Sequence, residues 1–205
     1  MSTKLPNPET EKKFKEYRQY LTTEAIRLAS YVALYRKLYE RRVDRLEEMN
    51  IAPAFFEVVT DALLAAIFLW VDKLFDEDGE RSIFNFLTFV EQNRKHIGIK
   101  HLITLETIKQ DRERIRSLEC LKNFKTLRDK FYAHFDKDFF FDRERMRNEA
   151  PTWGDLKKVA EVTSDVLSNY SRAYDGQHFK LEIDNIDDLD YLLDRLHKCK
   201  KVKNT

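Results

Sequence analysis

From Pro53 to Phe75 the chain offers almost no polar face. Phe55, Phe56, Val58, Val59, Leu63, Ile67, Phe68, Trp70, Val71 and Leu74 fall on nearly every side of a helical projection. A helix that is apolar all round lies in the middle of a bundle or is covered by a second subunit. Its longest unbroken apolar run, Ala62 to Val71, is far short of the ~20 residues that span a bilayer. The stretch therefore reads as a buried helix, and no membrane association is expected. Asp61 and Asp72 are its acidic exceptions. Each is open to being an active-site carboxylate, with a solvated helix end or a core salt bridge the favoured reading.

The rest of the chain must supply partners for that helix. Only four glycines and four prolines in 205 residues leave room for long helices. Residues 1–9, with Pro6 and Pro8, read as a flexible start. A long amphipathic helix follows to about Glu48, with Phe14, Tyr17, Leu21, Leu28, Tyr31, Tyr35, Leu38 and Leu46 on one stripe. Its five tyrosines are expected to pack in the core with wet hydroxyls rather than to stack on bases. Pro53 suits the first turn of the next helix. Asp76 to Gly79 reads as a turn, and Ser82 as the N-cap of a short helix burying Ile83, Phe86, Leu87 and Val90.

A further helix is expected from about residue 103 to 134. After it, Asp136 to Pro151 is the longest irregular stretch, holding Phe139 to Phe141 and then Arg143, Arg145 and Arg147. Thr152 and Asp155 form a capping box for a helix to about Tyr174 that buries Leu156, Val159, Thr163, Val166, Leu167 and Tyr170. Gly176 ends it. His178 to Ile183 alternates polar and apolar, so a short extended segment is expected. A last helix from about Ile186 to His197 and a basic tail complete the chain. The organisation expected is a bundle over residues 10–175 with a C-terminal extension over 176–205.

Net charge is +1, so any basic surface must be local. Between Lys109 and Lys130 eight lysines and arginines face four acids. A solvated face with intrahelical pairs such as Asp111 with Arg114 is favoured over a phosphate-facing surface. Cys120 and Cys199 lack metal-ligand spacing, and the polar N-terminus lacks the core of a signal peptide, which points to the cytoplasm. His96 and His101 read as surface histidines. No Gly-rich phosphate loop, His-Glu-x-x-His pair or Gly-x-Ser-x-Gly occurs, so neither cofactor nor metal is expected.

What remains is Leu127 to Phe135. Cys120, Phe124, Leu127, Phe131 and Phe135 form one helical stripe. At about 100° per residue from Phe131, Arg128 lies near +60° and His134 near −60°. The two flank opposite edges of the stripe and cannot meet within one helix. A partner helix on the stripe would bring the arginine of one chain to the histidine of another. A histidine can take the proton of a ribose 2′-hydroxyl or protonate the leaving 5′-oxygen. An arginine can grip the phosphate with two hydrogen bonds and stabilise its growing charge.

Arg128-Asp129, four intervening residues, then His134 at the end of a long helical run resembles the signature of the HEPN superfamily. The context Leu-Arg-Asp-Lys-Phe-Tyr-Ala-His-Phe-Asp over 127–136 looks like the branch found in bacterial abortive-infection proteins of the AbiU type. The resemblance implies an all-α, antiparallel helical bundle that homodimerises through the motif helices. It implies a metal-independent endoribonuclease, a toxin or antiphage effector, with Arg128 and His134 catalytic and Asp129 positioning the arginine or the substrate. Lys125, Lys130, Tyr132, Arg143 and Arg145 are then the candidates for RNA contact. Expected partners are RNA, a second copy and an antitoxin or other regulatory protein. The alternative is a catalytically inactive RNA- or protein-binding dimerisation module of the same fold.

Overall fold

The computed structural model describes residues 7–99, 101–129, 151–178, 183 and 185–203. Eight helices occur among them: α1 Pro8–Asp44, α2 Leu46–Met49, α3 Pro53–Phe75, α4 Ile83–Asn93, α5 Leu105–Arg116, α6 Cys120–Leu127, α7 Trp153–Asp175 and α8 Asp188–Lys203. No strand occurs among the described residues. Most of the proposed extended segment at 178–183 lies outside them.

Helix starts follow the local chemistry. Asn7 accepts from the amides of Glu9 and Thr10 at the head of α1, and Ser82 accepts from Asn85 N–H at 3.3 Å. Thr152 and Asp155 complete the capping box at 2.8 and 3.2 Å. Gly176 ends α7 in the left-handed region at φ 75°, open to glycine at no steric cost.

The long α1 is the spine. Tyr31 meets Trp70, and Glu24 meets Trp70 and Lys73, so α3 runs antiparallel to α1. Phe14 meets Tyr174 and Tyr35 meets Trp153, so α7 does too. α5 is antiparallel to α7 through Asp111 with Tyr170 and Arg114 with Asp165. α6 runs parallel to α3, with Phe68 on Phe124 and Asp72 on Arg128. The main core contains every apolar inward position expected of α4 and α7, and Thr163 is buried as well. Glu24 is buried in it, held by Trp70 Nε1 at 2.8 Å and Lys73 Nζ at 2.9 Å. A satellite core of Leu38, Met49, Phe56, Leu63, Leu189 and Leu193 seats α8. Lys37 and Arg41 of α1 and Arg45, its C-cap, reach Asp190, Asp190 and Asp194 of α8 at 2.9, 2.6 and 2.6 Å. The two cations hold the Asp190 carboxyl well below the usual range.

Four expectations need correction. α1 stops at Asp44, and Leu46 sits in the separate α2, 56% exposed. The single helix expected from residue 103 is two. Ser117 Oγ folds back on Arg114 O at 2.7 Å, and Leu118 N–H on Ile115 O at 3.0 Å, ending α5. Ile115 and Cys120 are five positions apart, about 140° of helical rotation, so an unbroken helix would turn them to different sides; the turn restores the phase. The intrahelical pair of Asp111 with Arg114 does not form. Asp111 is buried and accepts from Tyr170 Oη at 2.9 Å, while Arg114 reaches Asp165 at 2.6 Å. Finally, α8 continues to Lys203, where an irregular tail was expected, because no glycine or proline interrupts it.

Burial pushes the Asp111 carboxyl up. The folded chain therefore holds this proton where the unfolded chain has released it. Stability from this group is greatest below the ordinary aspartate range and is lost as pH rises through the folded value. Asp111→Asn keeps an acceptor for Tyr170 and removes the titration. Urea melts of the variant should show a smaller loss of stability between mildly acidic and neutral pH than the wild type.

Candidate functional site

α6 is short, and its stripe of Cys120, Phe124 and Leu127 is buried within the chain, Phe124 on Phe68 of α3, where the sequence suggested a partner subunit's helix. The placement of Arg128 follows from that packing. It caps α6 one position beyond Leu127, at the stripe's edge, and its side chain is 22% exposed. The guanidinium meets two carboxylates. Nε donates to Asp129 Oδ1 at 2.7 Å, Nη2 contacts the same oxygen, and Nη1 contacts Asp72 Oδ2 on α3. Asp72 is thus the salt bridge that the sequence left as one of three options. Burial raises its carboxyl, against the downward pull of Arg128.

Two clefts meet at Phe124 of α6, one of them reaching Asp72. One of about 430 Å³ is lined by Asp72, Asp76, Glu77 and Asp78 opposite Arg116, Lys122 and Lys125. The other, about 340 Å³, is apolar and lies between Tyr39, Leu64, Phe68 and Trp153. Phe124, 1% exposed, lines both.

The lopsided charge of this region is largely matched across helices. Arg112 pairs with Glu91 at 2.6 Å, Arg114 with Asp165 at 2.6 Å and Arg116 with Glu77 at 2.9 Å. Lys122 and Lys125 are exposed and make no ion pair among the described residues. Of the expected site residues, the structure brings together Arg128 and Asp129 and leaves Lys125 one turn away. His134, Lys130, Tyr132, Arg143 and Arg145 lie outside the described residues, as do Phe131 and Phe135. Among the described residues no cluster of His, Cys, Asp and Glu could hold a metal ion.

α3 is less enclosed than its composition implied. Phe56, Leu63, Ile67, Phe68, Val71 and Leu74 are buried, but Phe55, Val58 and Leu69 are 49–66% exposed. With Ala62 they make one lengthwise apolar stripe, in steps of three, four and seven. By length and composition α3 could also cross a membrane. Its other side is packed on α1 and α6, as in the core helix of a bundle.

Antiparallel helices around a long spine, with an arginine flanked by carboxylates at the end of α6, make an all-α bundle consistent with a HEPN-like fold. The family model HEPN_AbiU2, described as AbiU2, matches residues 11–194. The chain belongs to that family of abortive-infection-associated HEPN domains. No curated protein and no solved structure matches the chain.

Proposed function

We propose that this protein is a metal-independent endoribonuclease acting as an effector of abortive infection in the cytoplasm, with Arg128 and His134 at a site completed by a second copy. The observation that carries the reading is the Arg128 guanidinium, held at the edge of the α6 stripe by Asp72 and Asp129. His134 takes the proton of a ribose 2′-hydroxyl, and the 2′-oxygen attacks phosphorus. The bond to the 5′-oxygen breaks, and a second histidine, from the partner copy, protonates the leaving oxygen. The products are a 2′,3′-cyclic phosphate and a 5′-hydroxyl. Arg128 stabilises the charge that builds on the phosphate oxygens. Lys125, Lys130, Tyr132, Arg143 and Arg145 supply contacts to the RNA, Lys125 from an exposed position on α6.

The uncovered α3 stripe supports pairing, since a soluble monomer rarely leaves such a band in water. An antitoxin or other regulatory protein would restrain the nuclease between infections.

A second reading has an observation of its own. Two carboxylates neutralise Arg128, and acids line one wall of the adjoining cleft, a poor surface for RNA. This favours a catalytically idle binding or dimerisation module. One experiment separates them. RNA is incubated with wild type and His134→Ala in chelator, and both are expressed in bacteria. The nuclease reading expects cleavage and growth arrest from the wild type only. Equal RNA integrity and equal growth exclude it in favour of the binding module. Val58→Glu, on the uncovered α3 stripe, should sediment as a monomer; a wild type that is already monomeric excludes the shared site.

A further inference from the structure

We infer that Asp72 of α3 is a positioning residue for Arg128, fixing the guanidinium so that its remaining N–H groups face a phosphate. This rests on the nuclease reading and extends it to a residue far away in the sequence and outside the motif.

A guanidinium has five N–H donors. Asp129 engages Nε and Nη2, and Asp72 engages Nη1. Counting one N–H for each contact leaves two, enough for two oxygens of one phosphodiester. Asp129 alone cannot fix the group. It is the neighbouring residue and sits with Arg128 just past the last turn of α6, so the pair could swing together. Asp72 is different. It belongs to α3, whose Val71, Leu74 and Phe75 are buried on either side of it. Its side chain is 17% exposed, so its own range of motion is small. The contact therefore anchors the end of α6 to the most rigid wall available. A carboxylate is needed rather than an amide, since only a carboxylate accepts a charge-assisted bond without offering an N–H to clash with the guanidinium.

The test compares wild type, Asp72→Asn and Asp72→Glu, each checked for a wild-type melting profile. Cleavage of a short RNA gives kcat and KM, and nitrogen-15 spectra follow the Arg128 guanidinium, assigned with Arg128→Lys. Asp72→Asn should lower kcat about 10- to 100-fold, as expected for a misplaced group, with KM little changed. Its Arg128 N–H signals should exchange faster with water, and Asp72→Glu should recover part of both effects. Cleavage by Asp72→Asn equal to or faster than wild type overturns the positioning role and leaves the nuclease reading intact; faster cleavage would make Asp72 a mask. An unchanged Arg128 spectrum overturns it as well. A wild type that does not cleave RNA overturns the nuclease reading, and the positioning role falls with it. If Asp72→Asn does not fold, Asp72→Glu decides by the same two readouts.

Discussion

Arg128→Ala should abolish RNA cleavage while leaving a folded, less stable protein. Two effects act together. The reacting phosphate loses its guanidinium, and loss of one preorganised charge-stabilising donor costs about 10²–10³ in kcat. Asp72, 17% exposed with the arginine in place, loses its cation. A partly buried carboxylate without its partner costs about 1–3 kcal/mol, more if it stays charged. The Asp72 carboxyl is already pushed up by burial despite Arg128, so without the arginine it should rise further. The folded state would then hold this proton at higher pH than wild type does. The variant's stability deficit should be small in acid, where both states are protonated, and should widen as pH rises past the ordinary aspartate range. Arg128→Ala/Asp72→Ala should lose that pH dependence without regaining activity. Denaturant melts across pH, set beside the cleavage assay, separate the two effects. An Arg128→Ala protein that still cuts RNA at the wild-type rate would end the catalytic reading of this residue.

Phe124→Ala should be the most damaging core change near the site. Phe124 is 1% exposed, its ring packs on Phe68 with centroids 5.4 Å apart, and it lies between the two clefts. Truncation removes apolar burial and leaves a cavity, together costing about 3–5 kcal/mol. Because the ring lines both clefts, the cavity would join them. α6 has eight residues and buries only Cys120, Phe124 and Leu127, of which Phe124 is the largest, so its docking on α3 depends heavily on this ring. Activity should therefore fall with stability, and hydrogen exchange of the α6 amides should rise well before that of α1 and α3. Phe124→Leu, which refills most of the space, should lose far less. A Phe124→Ala protein whose melting point and α6 exchange match wild type would show that α6 is held by something else.

The helices were legible in the sequence because their signals are local. Thr152 with Asp155, Ser82, Pro53 and Gly176 each act within one turn, and the buried positions of α4 and α7 follow from a period of 3.6 residues. The Arg128-Asp129 and His134 motif was legible for the same reason, and so was the family. The stop after Arg116 was also written in the chain, as a five-residue step between Ile115 and Cys120 that breaks the period.

Contacts between helices were not legible. Nothing local tells Asp111 to take Tyr170 rather than Arg114, or Glu24 to take Trp70 and Lys73 from a helix 46 and 49 residues on. A buried carboxylate takes whichever donor packing delivers, and packing depends on the relative rotation and stagger of two helices. The same holds for α3. Its composition announced a core helix, yet only its docking decided which stripe α1 and α6 cover and which, through Phe55, Val58 and Leu69, stays in water. By itself the sequence determined an all-helical chain, its caps and an arginine at the edge of a packed stripe, because backbone hydrogen bonding and apolar periodicity are properties of neighbouring residues. Only the tertiary structure decided that this arginine leans on Asp72, because that contact joins residues 56 positions apart and exists only once α6 lies along α3.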